Sequence, residues 1–204
     1  MKILARVCLV AGLLALGYWA FEFGGARLFQ ATESRRFLLQ RQQIRAPAAT
    51  DTARSPEAAT VPAIPPAPAA GSAVALLSIP RLDLSLLVVE GASEKELKLG
   101  PGHVPGTAMP GAGGNFAVAA HRDTFFRPLR WIRRNDAIVV QVRDRDYHYR
   151  VASTEIVQPR DTQVLQPSGH ETLTLITCYP FGFIGAAPQR FVVQADCLDC
   201  PPVP

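Results

Sequence analysis

Apolar positions follow three different patterns along the 204-residue chain. Near the N-terminus they form one unbroken run, Val7 to Phe21 (VCLVAGLLALGYWAF), with Lys2 and Arg6 before it. A helix needs about 20 apolar residues to cross the hydrocarbon core, with a lower limit near 17. Counting from Ile3, with Arg6 reaching back to the headgroups, brings the segment to that length. Tyr18, Trp19, Phe21 and Phe23 have the character of an interfacial aromatic belt. A cleaved signal peptide is the alternative, since the basic start and short apolar region also fit it, but no convincing small-x-small cleavage site follows. Residues 1–24 are therefore expected to be an uncleaved signal-anchor transmembrane helix. Residues 25–73 change character twice. The Arg/Gln-rich stretch 25–45, with Leu28, Phe37, Leu38, Leu39 and Ile44, would extend the helix into water. From Ala46 to Ala73 the chain turns to Ala, Pro and Thr, including Ile64-Pro-Pro-Ala-Pro. Such a segment buries too little apolar surface to offset its ordering entropy and is expected to be an extended stalk.

From residue 74 to 204 the pattern is that of short strands. Apolar runs are expected as strands at 73–79 and 84–90, separated by the turn Pro80–Asp83, and then at 115–120, 137–142, 147–152, 154–158, 173–177 and 191–195. Ser93–Gly100 has a Ser cap and a Gly stop around one helical turn. Phe125–Arg133 predicts a short helix, and the Gly/Pro-rich stretch 101–114 predicts loop. Eight short strands with only brief helices predict a mostly β fold, a closed or nearly closed eight-stranded barrel.

Charge sharpens this division. Residues 1–73 carry eight basic and four acidic side chains, and residues 74–204 carry thirteen of each. The overall excess of +4 thus belongs to the N-terminal segment, where it suits anionic headgroups. A neutral domain without a basic face speaks against nucleic-acid binding. Of four cysteines, Cys8 lies in the apolar run, and Cys197 and Cys200 form a terminal Cys-x-x-Cys. That pair cannot fill tetrahedral zinc coordination alone, and no second pair exists, so a disulfide is the preferred expectation. No cofactor or metal is expected.

Cys178 is the one cysteine inside the body of the domain. It ends the β-branched run Thr174-Leu-Ile-Thr-Cys178, and Tyr179-Pro180 turns the chain out of the strand. A thiol at a strand exit suits a nucleophile, although most strand cysteines are small hydrophobes. His121 ends the run Phe116–Ala120, a position that suits a proton shuttle; a capping histidine is the bland alternative. His103 in a Gly/Pro loop, His148 within a strand and His170 in a turn do not share it. Arg190 opens the strand Phe191–Ala195 and offers a guanidinium for an oxyanion or a substrate backbone, or else for an ordinary ion pair. Asp123, two residues past His121, is weighed as an orienting carboxylate against an ordinary turn aspartate.

These motifs resemble the sortase family. Thr174-Leu-Ile-Thr-Cys178 matches the signature Thr-Leu-x-Thr-Cys, and the order histidine, cysteine, arginine is the family's. Ala120-His-Arg-Asp-Thr-Phe-Phe126 looks like the segment around its histidine; Cys178-Tyr-Pro-Phe181 and Gln189-Arg-Phe-Val-Val193 look like the segment around its arginine. The likeness covers residues 74–196 and is greatest to the sortases of Gram-negative bacteria, which are close to class D; the Cys197–Cys200 tail departs from it. The resemblance implies an eight-stranded barrel and a cysteine transpeptidase of the thiol peptidase class. The expected substrate is an exported protein with a Leu-Pro-x-Thr-Gly-like C-terminal signal, cut between Thr and Gly and passed to an amine acceptor. Cys178 would be the nucleophile, His121 the acid and base, and Arg190 the oxyanion or alignment partner, with Thr177 assisting substrate binding from the adjacent backbone. It implies a single-pass protein of the bacterial cytoplasmic membrane with the domain on the extracytoplasmic side. The charge rule opposes this, since four arginines follow the span and two basic residues precede it; the exported substrate decides for the outside. The alternatives are a cysteine endopeptidase that resolves the thioester with water, and a non-catalytic anchored domain that binds peptide or cell-wall material.

Overall fold

The computed structural model describes residues 2–45, 68–167 and 169–200, with only the backbone of 18–23. Most of the expected stalk, residues 46–67, and the side chains of the expected aromatic belt lie outside the described residues. Helix α1 runs from Lys2 to Arg45 as one element. Among the described residues no helix is long and apolar enough to cross a membrane, so the expected span over 1–24 is not supported.

Eight strands close into a barrel in the order β1-β2-β3-β4-β7-β8-β6-β5. They are β1 (Ala73–Ile79), β2 (Leu84–Glu90), β3 (Gly102–His103), β4 (Asn115–Ala119), β5 (Ala137–Gln141), β6 (Asp146–Val157), β7 (Thr172–Tyr179) and β8 (Gln189–Cys197). A single-turn helix α2 (Glu94–Leu99) follows β2, and a 3-10 turn spans Arg127–Trp131. The expected count of eight holds, but its membership differs in two places. The stretch 101–114 is not all loop: Gly102 and His103 pair in parallel with β2 and antiparallel with β4. The runs 147–152 and 154–158 are one strand, broken in register between Val151 and Ser153. A bulge there interrupts the two-residue alternation, so one strand reads as two.

Alternation assigns the faces of the barrel. Phe116 and Val118 of β4, Tyr149 and Val151 of β6, Leu173 and Leu175 of β7, and Val193 and Ala195 of β8 meet in the buried interior. The outward face of β1 and β2 is covered instead by α1, whose Phe37 packs on the paired Leu76 and Leu87. Gln30 completes the unpaired edge of β2: its Nε2 donates to the Leu87 carbonyl at 3.0 Å, and the Leu87 N–H donates to its Oε1 at 2.8 Å. Arg41, 4% exposed, reaches Asp146 at the start of β6. The helical extension expected for 25–45 is therefore present, but docked on the barrel rather than held free in water.

Candidate active site

The parallel pairing of β4 with β7 builds the site. Its register runs from Asn115 opposite Thr172 to Ala119 opposite Ile176, an offset of 57 residues. The Ala120 N–H donates to the Ile176 carbonyl at 3.1 Å, which carries the ladder past the end of β4. One further residue on, the same offset sets His121 beside Cys178. On the other side of β7, the antiparallel register places Cys178 directly opposite Arg190 of β8. Neighbouring strands lie about 4.8 Å apart, so Cys178 and Arg190 are direct neighbours on β7 and β8, and the β4–β7 offset, continued two residues past its last pair, brings His121 level with Cys178. All three have the parity of the outward face, alternating with the interior residues of their strands. Ala117, Ala119, Ile176 and Val192 share that face and form an apolar floor behind the row.

The immediate surroundings fit exposure to a ligand. Cys178 is a free, half-buried thiol. His121 is half-buried, and its imidazole makes no hydrogen bond to any described residue; Asp123 is exposed, and its carboxylate likewise has no hydrogen bond or ion pair there. Asp123 therefore does not orient the imidazole in this structure. Arg190 makes no ion pair with an acid among the described residues. Its Nη1 donates to the carbonyls of Ala187 at 3.3 Å and Gln189 at 3.0 Å, leaving Nε and Nη2 for another acceptor. Thr177 is 2% exposed, and its hydroxyl donates to the Ala120 carbonyl at 2.7 Å. Its side chain thus points to the interior and ties the residue before His121 to the residue before Cys178. Only the Thr177 backbone is available to the groove. Thr174, on the outward face, donates to Asn115 Oδ1 at 2.7 Å, and the Asn115 amide donates to the Val164 carbonyl at 2.8 Å. The first threonine of the motif therefore seats the β6–β7 connection over the groove.

The other histidines lie elsewhere. His103 is in β3 rather than a loop, 4% exposed, with Nδ1 2.8 Å from Glu90 Oε2 and Nε2 3.0 Å from Thr107 Oγ1. Its ring stacks on Phe116. His148 pairs with Asp199 at 2.7 Å, and His170 with Asp196 at 3.2 Å. Cys197 and Cys200 form the expected disulfide. Glu171 brings a carboxylate oxygen within 4.8 Å of both sulfurs, but their bond removes the thiolates a metal would need. Glu171 instead accepts from the Gly111 N–H at 2.6 Å and the Tyr149 hydroxyl at 3.0 Å; burial, then this carboxylate, pushes the Tyr149 phenol well above its ordinary range. A cleft of about 300 Å³ between α1 and the barrel, lined by Phe29, Phe37, Gln40 and Arg143 among others, is a packing gap away from the row and contains no nucleophile.

Residues with no role assigned from sequence also join the site. Arg122 and Arg130, in the segment after His121, contact the β7–β8 connection. Arg122 stood within the histidine motif, but nothing local shows that its partners lie sixty residues away.

A closed barrel that pairs Cys178 with Arg190 across β7 and β8, with His121 just past the end of β4, is the arrangement expected of a cysteine acyl-transfer fold. The sortase domain family model matches residues 77–198, and the chain belongs to the sortase family of cysteine transpeptidases. It is 29% identical over 195 residues to sortase D of Bacillus subtilis (strain 168), covering 94% of this chain and 96% of that one, and the class D-like kind is thereby shown. Among solved structures, a Clostridium perfringens sortase D5 transpeptidase superposes with a TM-score of 0.60 at 28% identity, over 65% of this chain and 82% of that one. A Clostridium perfringens sortase C, solved with the C-terminal cell wall sorting motif, gives 0.59 at 26% identity, over 64% and 73% of the two chains.

Proposed function

We propose that this sortase cleaves a C-terminal Leu-Pro-x-Thr-Gly-like signal on an exported protein, between Thr and Gly, and transfers the acyl group to an amine. The observation that carries this reading is the register that sets His121, Cys178 and Arg190 side by side. In the first step Cys178 Sγ attacks the Thr carbonyl carbon, the C–N bond to Gly breaks, and His121 gives a proton to the departing amine. In the second, an incoming amine attacks the thioester carbon, His121 takes up its proton, and the sulfur leaves as the thiolate. The free guanidinium donors of Arg190, one residue across the ladder, suit the oxyanion formed in both steps. Since the thioester retains the energy of the peptide bond, no nucleotide is required. The sorting motif held by the Clostridium perfringens sortase C supports this substrate class.

The same proposal places α1 at the bacterial cytoplasmic membrane with the barrel outside. Ile3, Leu4, Val7, Leu9, Val10, Leu13, Leu14 and Leu16 are each more than half exposed on the helix, a surface suited to lipid. Protease access to the stalk in intact and permeabilised cells tests the orientation; a stalk protected in intact cells and in spheroplasts refutes it.

The chemistry is tested by incubating the full chain with such a peptide and hydroxylamine. The expected result is a thioacyl adduct at Cys178 by intact mass and a Thr-hydroxamate product, both absent from Cys178→Ala. A hydrolysed peptide without hydroxamate would assign an endopeptidase instead. If several such peptides give neither species, and parent and Cys178→Ala behave alike, the reading fails.

A further inference from the structure

We propose that Arg122 is a positioning residue that latches the tip of the β7–β8 loop, residues 180–188, to the histidine-bearing segment and so sets the groove for the acyl donor. The proposal rests on the reading of His121, Cys178 and Arg190 as the reacting row.

The loop joins the two residues that face each other across the row. Cys178 lies two positions before it and Arg190 two positions after it, and the pairs Cys178–Arg190 and Tyr179–Gln189 close its base. That base is well fixed. Phe181 packs edge-on against Tyr179 at 6.0 Å and Phe191 at 5.4 Å, Arg130 lies 5.6 Å over the Phe181 ring, and Arg190 holds the Ala187 carbonyl. The tip is different. Residues 182–186 are all exposed, Ile184 almost completely, and the Phe183 N–H to Pro180 carbonyl bond at 3.2 Å only forms the turn into it.

Among the described residues, Arg122 alone ties that tip to the rest of the barrel by side-chain hydrogen bonds. Its Nη2 donates to the Phe183 carbonyl at 2.6 Å and to the Gly185 carbonyl at 2.9 Å, and its guanidinium carbon lies 6.0 Å over the Phe183 ring. Two carbonyls two residues apart converge on one nitrogen because the chain reverses at Gly185, whose φ of 98° favours glycine. No carboxylate competes for the guanidinium among the described residues. The latch also starts one residue after His121, so the imidazole and the loop between Cys178 and Arg190 share a single mechanical link. A charged nitrogen that donates to two backbone carbonyls, with its planar group over an aromatic ring, is a stronger tie than a chance surface contact.

The test compares Arg122→Ala, Arg122→Lys and Gly185→Ala in the full chain by amide hydrogen exchange and by steady-state kinetics with the peptide and amine above. Arg122→Ala should speed exchange across 182–187 and raise KM for the peptide about tenfold, with kcat held within about threefold, since it loosens a wall without touching the reacting atoms. Arg122→Lys should fall between, because an ammonium keeps the charge and the donors but not the planar group over the Phe183 ring. Gly185→Ala should raise KM as well, by straining the bend that presents the carbonyl. Exchange across 182–187 that matches the parent in Arg122→Ala, or an unchanged KM, overturns the latch. Should the parent show no turnover while exchange still depends on Arg122, the latch stands and the catalytic reading falls.

Discussion

Asp136, just before β5, shows how one buried carboxylate is held in this fold. It is 7% exposed, and its two oxygens accept from Arg81 Nε at 2.5 Å and Nη2 at 2.6 Å and from the Arg133 N–H at 2.7 Å. The Arg81 hydrogen bonds hold its pKa below the ordinary carboxylate range, against the opposing effect of burial. A carboxyl with a depressed folded-state pKa contributes stability that is present above its unfolded value of about 4 and is lost as pH falls through the folded value. Asp136→Asn should therefore lower Tm by about 5 °C at pH 7. The gap from the parent should narrow steadily in thermal melts below about pH 4. A gap that stays constant down to pH 2 would show that Asp136 acts by shape rather than charge. The ion pair between the turn after β1 and the residues before β5 was not legible locally, since neither residue sits in a motif.

Between elements, a tight backbone constraint lies where β2, β3 and β4 meet. A Cβ on Gly102 would lie 2.1 Å from the Gly91 carbonyl oxygen, which is backbone and cannot give way cheaply. Gly102 also pairs with Ala119, two residues before His121. Gly102→Ala should cost about 2–3 kcal/mol, read as a lower urea midpoint at unchanged m-value. It should also reduce transpeptidation beyond what the lost stability explains, through displacement of the end of β4. Wild-type activity in a folded Gly102→Ala protein would separate the β3 junction from the site. Here the sequence was only half informative. A Gly/Pro-rich stretch reads as loop because it lacks a β-branched run, yet two residues suffice to pair when the flanking strands supply both edges. The bulge at Val151–Ser153 is the converse case, where a change of phase hides one long strand.

At the scale of the molecule, α1 and the barrel have separate apolar contacts: Phe37, Leu76 and Leu87 form a small cluster apart from the barrel core. Phe37→Ala should remove about 2–4 kcal/mol from that contact, while the barrel retains its own. The expected outcome is faster tryptic cleavage at Arg35, Arg36 and Arg41 with little change in barrel Tm; a joint collapse of helix and barrel would show one cooperative unit. The sequence alone determined the candidate residues and their order along the chain, because a thiol, an imidazole and a guanidinium at strand ends are local features. It also determined the mostly β class, through two-residue alternation, whereas the cysteine spacing only favoured the terminal disulfide that the structure contains. Tertiary structure decided what those residues face. The 57-residue offset between His121 and Cys178 becomes a spatial neighbour only through the parallel β4–β7 pairing, and hydrogen bonds between distant strands leave no signature in either segment. The same holds for the docking of α1, the burial of His103 between Glu90 and Thr107, and the grip of Arg122 on a loop sixty residues away. Each is a contact of large sequence separation, fixed by how the barrel closes rather than by any local pattern.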